Sequence, residues 1–183
     1  MALSKIDIEN MVTGELTTTN GGTGATSFTA GISEADIWRL TTDFDADATP
    51  IASNLERADT DASNKIGTGM SQSSGIFTFP STGIYYIQFQ ANFLAANIDG
   101  LLQCKIEVST NTGSSYGTAA VGDSGVSRAS DQNQAMCHLI VDITNTSTHL
   151  VRFDISGTSS DTTTQGDSGH NETSMMFLRL GDT

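Results

Sequence analysis

From Trp38 onward, apolar and polar residues alternate in short runs with a period of two. That is the pattern of strands with one face on a core and the other on solvent. The longest run is in residues 75–94: a short strand, a turn built on Pro80 and Gly83, then a strand with Tyr85, Ile87, Phe89, Ala91 and Phe93 on one face. Pro80 has no amide to donate and belongs between strands. Gly83 can take a positive φ without a Cβ clash. Trp38, Leu40, Thr42 and Phe44 alternate as a first strand anchored by Trp38, with a second short strand over 51–55. Further strands are predicted over 101–109, weakly over 116–126, and over 135–143 and 149–156, the last two forming a hairpin across 144–148. Val151, Phe153 and Ile155 should point inward. Residues 175–180, apolar on both faces, read as a central strand. Residues 110–115 and 157–171 are polar and Gly/Ser/Thr-rich, as loops are. Helical spacing is nearly absent, so the chain reads as an all-β sandwich or barrel.

Residues 1–31 differ from the head that follows at 32–183. Ile6 and Ile8 alternate with Lys5, Asp7 and Glu9, and Met11 and Val12 follow. These four apolar residues would suit a short segment docked on a partner. Residues 17–27 are too polar and Gly-rich to pack a core. Taken alone they read as a flexible linker, and together with Ile6, Ile8, Met11 and Val12 as an N-terminal docking arm.

The spacing G-x-F-x-F-P-x-x-G-x-Y-x-I-x-F, carried here by Gly75, Phe77, Phe79, Pro80, Gly83, Tyr85, Ile87 and Phe89, resembles the core signature of the complement and tumour-necrosis-factor superfamily heads. The wider run 66–86 is similar to a phage branch of that family found in virion fibre and decoration proteins. The N-G-G-T-G-A-T-S run at 20–27 resembles a repeat unit of phage tail-fibre proteins. The resemblance covers residues 32–183 and implies a jelly roll of eight to ten strands that assembles as a homotrimer. It further implies a bacteriophage structural protein, located in the virion, whose arm binds a capsid or tail protein. Its motif positions are core and turn residues, so it speaks to fold more than to activity. Trimeric jelly rolls pack one sheet face about the threefold axis. Ile84 and Tyr86, on the opposite face from Tyr85, are the expected contributors to that seam. A receptor-binding tip for a host-surface glycan, using loops 110–134 and 157–173, is the alternative, although Tyr116 is the one aromatic there.

Charge narrows the partners. With 21 acids against 8 bases, the formal net charge is −13. Such a surface repels phosphate backbones and argues against nucleic acid. No apolar run approaches the ~18 residues that span a bilayer, and the first residues lack a leader pattern. A soluble protein, not exported by that route, is expected. Cys104 shares a strand face with Leu102, Ile106 and Val108, and Cys137 with Leu139, Val141 and Ile143. Both read as small buried apolar residues, and no disulfide is expected.

Chemistry finds little support. Gly122-Asp123-Ser124-Gly125 and Gly166-Asp167-Ser168-Gly169 match the four residues around a serine nucleophile. A histidine base and a buried orienting acid are also needed, and His138 and His149 fall on polar strand faces. No enzyme is expected. Asp43-x-Asp45-x-Asp47 resembles the opening of a calcium loop, but Ala48 and Asn54 stand where Gly and a bidentate Glu should be. Bound calcium is therefore kept only as a minor expectation, solvated carboxylates being the main one, and no cofactor is expected.

Overall fold

A computed structural model describes residues 31–183, so Ile6, Ile8, Met11 and Val12 of the expected arm lie outside the described residues. Those described form twelve strands and no helix. One sheet contains β1 (Ala35–Leu40), β2 (Thr42–Asp45), β3 (Leu55–Arg57), β6 (Gly83–Ala95), β9 (Asp131–Ile143), β11 (Thr162–Asp167) and β12 (Ser174–Gly181). The other runs in the order β4 (Ser71–Ser73), β5 (Ile76–Thr78), β10 (Leu150–Ser156), β7 (Asp99–Ser109) and β8 (Gly117–Val126). Every pairing is antiparallel.

β6 is the spine of the larger sheet, as its long alternation requires. It pairs over its whole length with β9 on one side. On the other it pairs with β12 and then β11, end to end. β1 and β2 extend that arrangement beside β12 and β11. The expected strand through Trp38 and Phe44 is therefore real but interrupted at Thr41, whose N–H donates to the Asn54 carbonyl at 2.8 Å.

The core is an aromatic cluster shared between the sheets. Phe77 and Phe153 of the smaller sheet meet edge to face at 5.4 Å, and Phe177 and Phe89 of the larger lie 5.3 and 5.1 Å from Phe77 and Phe153. Trp38, half-buried, meets Phe77 edge-on at 5.5 Å. Edge-to-face contacts of this kind add ~0.5–1.5 kcal/mol each beyond burial. The turn before β6 is fastened to it: the Tyr85 hydroxyl donates to the Ser81 carbonyl at 3.1 Å. Gly83 sits at φ 144°, where a Cβ would lie 2.5 Å from the Gly181 carbonyl oxygen. No other residue fits there.

Four expectations are corrected. Strands number twelve rather than eight to ten, because the first strand is split into β1 and β2, β3 and β4 are three residues each, too short to show a period, and β11 has the composition of a loop. Residues 51–54 form no strand: Pro50 has no N–H, and Asn54 turns at φ 57°. β9 and β10 are not a hairpin but lie in different sheets, β9 on β6 and β10 between β5 and β7. The 157–171 loop holds β11, a strand of Thr, Gln, Gly and Asp that owes its place to pairing with β2 and β6.

Candidate functional site

The outward face of the larger sheet is the candidate site. On β6 it carries Ile84, Tyr86, Gln88, Gln90 and Asn92, the alternates of the buried Tyr85, Ile87, Phe89, Ala91 and Phe93. Register extends it across four strands. Ile140, Tyr86, Leu178 and Ala35 form one row, apolar throughout. His138, Gln88, Met176 and Ile37 form the next. Met136, Gln90, Ser174 and Arg39 form the third. Ile140 is 64 % exposed and Met136 52 %. Singly exposed apolar residues are ordinary, whereas a contiguous band makes a candidate contact surface.

Ionisable groups are scarce on this face. His138 lies against the Tyr86 ring, centroids 6.1 Å apart, and Asp142 pairs with Ile84. Arg39 is buried beneath β3 and the segment after it, donating to Glu56 at 2.8 Å, Asp59 at 3.0 Å and Thr60 at 2.9 Å. It is a fastener for that segment rather than an open charge. Ile84 and Tyr86, the two residues singled out from sequence, sit on this face. Ile140, Met136, Met176 and Leu178 complete it. The cue for them was β9 and β12 being apolar on both faces, and the missing step was the pairing that sets them beside β6.

Beyond this band β6 and β9 become amide-rich. Asn92, Gln132, Asn133, Gln134 and Gln165 line a shallow depression of about 210 Å³. Gln134 donates to Asn92 at 2.8 Å and Gln132 to Gln165 at 3.2 Å.

The remaining sequence candidates do not converge. Asp43, Asp45 and Asp47 accept separately from Gly166 N, Thr163 Oγ1 and Thr158 N, tying β2 and its exit to β11 and the loop before it. Among the described residues no group of three or more His, Cys, Asp or Glu side chains is placed to hold a metal. Gly122-Asp123-Ser124-Gly125 is part of β8, and Asp167 ends β11. The His170 ring lies between Asp167 and Glu172, at 3.2 and 3.3 Å. Backbone bonds from Gly169 hold the Asp167 carboxyl below the usual range. His149 leans on Thr148 and the Asn145 carbonyl. Among the described residues neither Ser124 nor Ser168 is hydrogen-bonded to a histidine. No helix of the described residues is long and apolar enough to cross a membrane.

No protein-family model and no curated protein matches this chain in sequence. Solved structures do match in fold. Eiger TNF from S. frugiperda superposes with a TM-score of 0.62 at 14 % identity, over 84 % of this chain and 96 % of that one. Murine APRIL at pH 5.0 gives 0.60 at 12 % identity, over 80 % and 98 %. The globular domain of zebrafish complement 1qA protein gives 0.53 at 13 % identity, over 82 % and 99 %. The all-β jelly roll expected from the Gly75–Phe89 signature is thereby established.

Proposed function

We propose that this chain is a non-enzymatic structural protein of a bacteriophage virion, a fibre or capsid decoration. Its N-terminal arm docks on a capsid or tail protein, and its head assembles as a homotrimer displayed on the particle. The observation that carries the assembly is the four-strand apolar row Ile140–Tyr86–Leu178–Ala35, open on the outward face of the larger sheet. Its natural occupant is a second copy of the same face or edge. Two chains of net charge −13 repel wherever acids meet, so they associate best through the face that carries almost none. Threefold closure satisfies every copy alike and makes three weak arm contacts act together. The likeness to tumour-necrosis-factor and complement heads supports the same geometry, and the phage assignment rests on the residue patterns at 20–27 and 66–86.

Sedimentation of the purified chain should give three times the monomer mass at micromolar concentration; a stable monomer would end the assembly reading. Imaging of labelled particles should find the head on the virion surface. Protein lacking residues 1–31 should fold and be missing from particles. Incorporation at normal levels would refute the docking role.

A second reading, recognition of a host-surface glycan, is favoured by the amide-lined depression at Asn92, Gln132, Asn133, Gln134 and Gln165. Carboxamides offer paired donors and acceptors to sugar hydroxyls. Tyr116, the aromatic available for stacking, is already covered by Arg152, 4.3 Å from its ring centre. Specific glycan-array binding, lost on replacing Gln134 with Ala, would favour this reading.

A further inference from the structure

Cys104 and Cys137 are far apart in sequence and belong to different sheets, on β7 and β9. Both are buried free thiols, yet their sulfurs are 3.7 Å apart. Facing sheets normally stand ~10 Å apart, too far for two cysteines to touch directly. The exception here has a local cause. Gly122 of β8 lies opposite Cys104, and a Cβ on it would fall 2.3 Å from the Met136 carbonyl oxygen and 3.0 Å from Cys104 Sγ. Lacking that atom, β8 closes against the backbone of β9. The sandwich is pinched along this edge, and the two thiols lie just behind the pinch. The Cys137 sulfur also reaches the Cys104 carbonyl at 3.5 Å, and the Cys104 sulfur the Phe89 carbonyl at 3.9 Å. Sequence reading treated the pair as inert apolar filling because nothing local signals that β7 and β9 meet.

We propose that Cys104 and Cys137 are a modification site: under oxidation they form one intramolecular disulfide that ties the two sheets together. The sulfurs must close from 3.7 Å to the ~2.05 Å of an S–S bond, a movement that side-chain rotation and small strand shifts can supply. In the closed core the contact between the two sulfurs holds the Cys104 thiol below its usual range and pushes Cys137 up; before the core closes either thiol can attack first, and Cys104 serves as the example. The oxidant is a low-molecular-weight disulfide. The Cys104 thiolate attacks one of its sulfurs, its S–S bond breaks, and one small thiolate leaves. Cys137 gives its proton to that thiolate. Its sulfur then displaces the second small thiol from Cys104. One S–S bond in the protein replaces one in the oxidant, which becomes two thiols. The closed core has no room for the mixed intermediate, so the bond forms while the sheets are still docking. This inference is independent of what the head is attached to.

The test refolds the full chain from denaturant in equimolar oxidised and reduced glutathione at millimolar concentration, then quenches with an alkylating reagent under denaturing conditions. The expected product is monomer-linked, takes up no alkyl group, and gives a peptide joining Cys104 to Cys137. Its Tm should exceed that of protein refolded with reductant by roughly 10 °C, as a loop of some thirty residues implies. The gain should disappear on adding reductant and be absent from Cys104→Ala and Cys137→Ala. A folded all-β product in which both thiols are alkylated, or in which glutathione remains attached, would overturn the proposal. So would an equal Tm gain in the single variants.

Discussion

The two sheets turn opposite kinds of face to the outside. On the smaller sheet Arg152, Glu107 and Thr118 form one row, and Asp154, Lys105 and Val121 lie near the next. Their polar groups are largely spent on one another. Arg152 grips Glu107 with two bonds, at 2.8 and 2.6 Å. Thr118 donates to Glu107 at 3.0 Å, Gln103 to Asp123 at 2.7 Å, and Ser156 to Gln103 at 3.3 Å. Arg152 also stacks on Tyr116. On the larger sheet the corresponding rows are Ile140–Tyr86–Leu178–Ala35 and His138–Gln88–Met176–Ile37, with little to pair. A face whose charges are mutually satisfied is complete in water. An uncharged apolar band gains only by being covered.

The sharpest way to break this contrast is to put a charge in the middle of the apolar row. Ile140→Glu leaves the core untouched, because the side chain is already 64 % exposed, and buries an unpaired carboxylate wherever the face meets another copy. An unpaired buried charge costs ~2–5 kcal/mol at an interface, on the order of 100-fold in association. Sedimentation should fall from trimer to monomer at micromolar concentration while the Tm of the head domain reports an intact fold. Unchanged assembly would move the seam elsewhere.

The opposite face should respond in the opposite way. Arg152→Leu leaves Glu107 and Asp154 as neighbours without their shared cation. Removing one partner of a buried pair costs ~3–5 kcal/mol; with Arg152 and Glu107 21 % and 12 % exposed, ~2–3 kcal/mol is expected here. A lower denaturant midpoint with unchanged oligomer mass would show that this face serves the fold. Altered assembly would show that both faces take part.

Sequence made half of this contrast legible. Phe77, Phe79, Tyr85, Ile87 and Phe89 could be placed because a period of two needs no partner strand to read. Ile84 and Tyr86 followed as their alternates. Met136, Ile140, Met176 and Leu178 did not, because membership of one face depends on which strands pair, and β6 with β9 is a non-local pairing. Assigning β9 to a hairpin with β10 hid the band entirely. The same non-locality hid the cysteine pair and the Arg39 cluster with Glu56 and Asp59. β11 was invisible for a different reason: its residues have loop composition, and only its neighbours make it a strand.

The smallest effect expected belongs to Asp154, and its sign is diagnostic. Its side chain is 4 % exposed, one carboxylate oxygen has no hydrogen-bond partner, and Arg152 Nε is 3.6 Å away. Burial pushes its pKa up to about 6, with repulsion from Glu107 adding to it and Arg152 and a bond from Thr49 opposing. Lys105 is its cross-strand neighbour. A carboxyl whose folded pKa exceeds its unfolded value of ~3.9 weakens the fold wherever it is ionised in both states. The penalty is therefore full above pH 6, shrinks as pH falls through 6, and is gone below about 4. Asp154→Asn keeps the shape, can still accept from Thr49, and can donate to Glu107 as the protonated acid does. It should raise stability by about 1–2 kcal/mol at pH 8 and by almost nothing at pH 4. Denaturant midpoints at the two pH values measure the difference. A variant that loses stability at pH 8 would mean that the Asp154 charge, held between Arg152 and Lys105, strengthens this face instead of straining it.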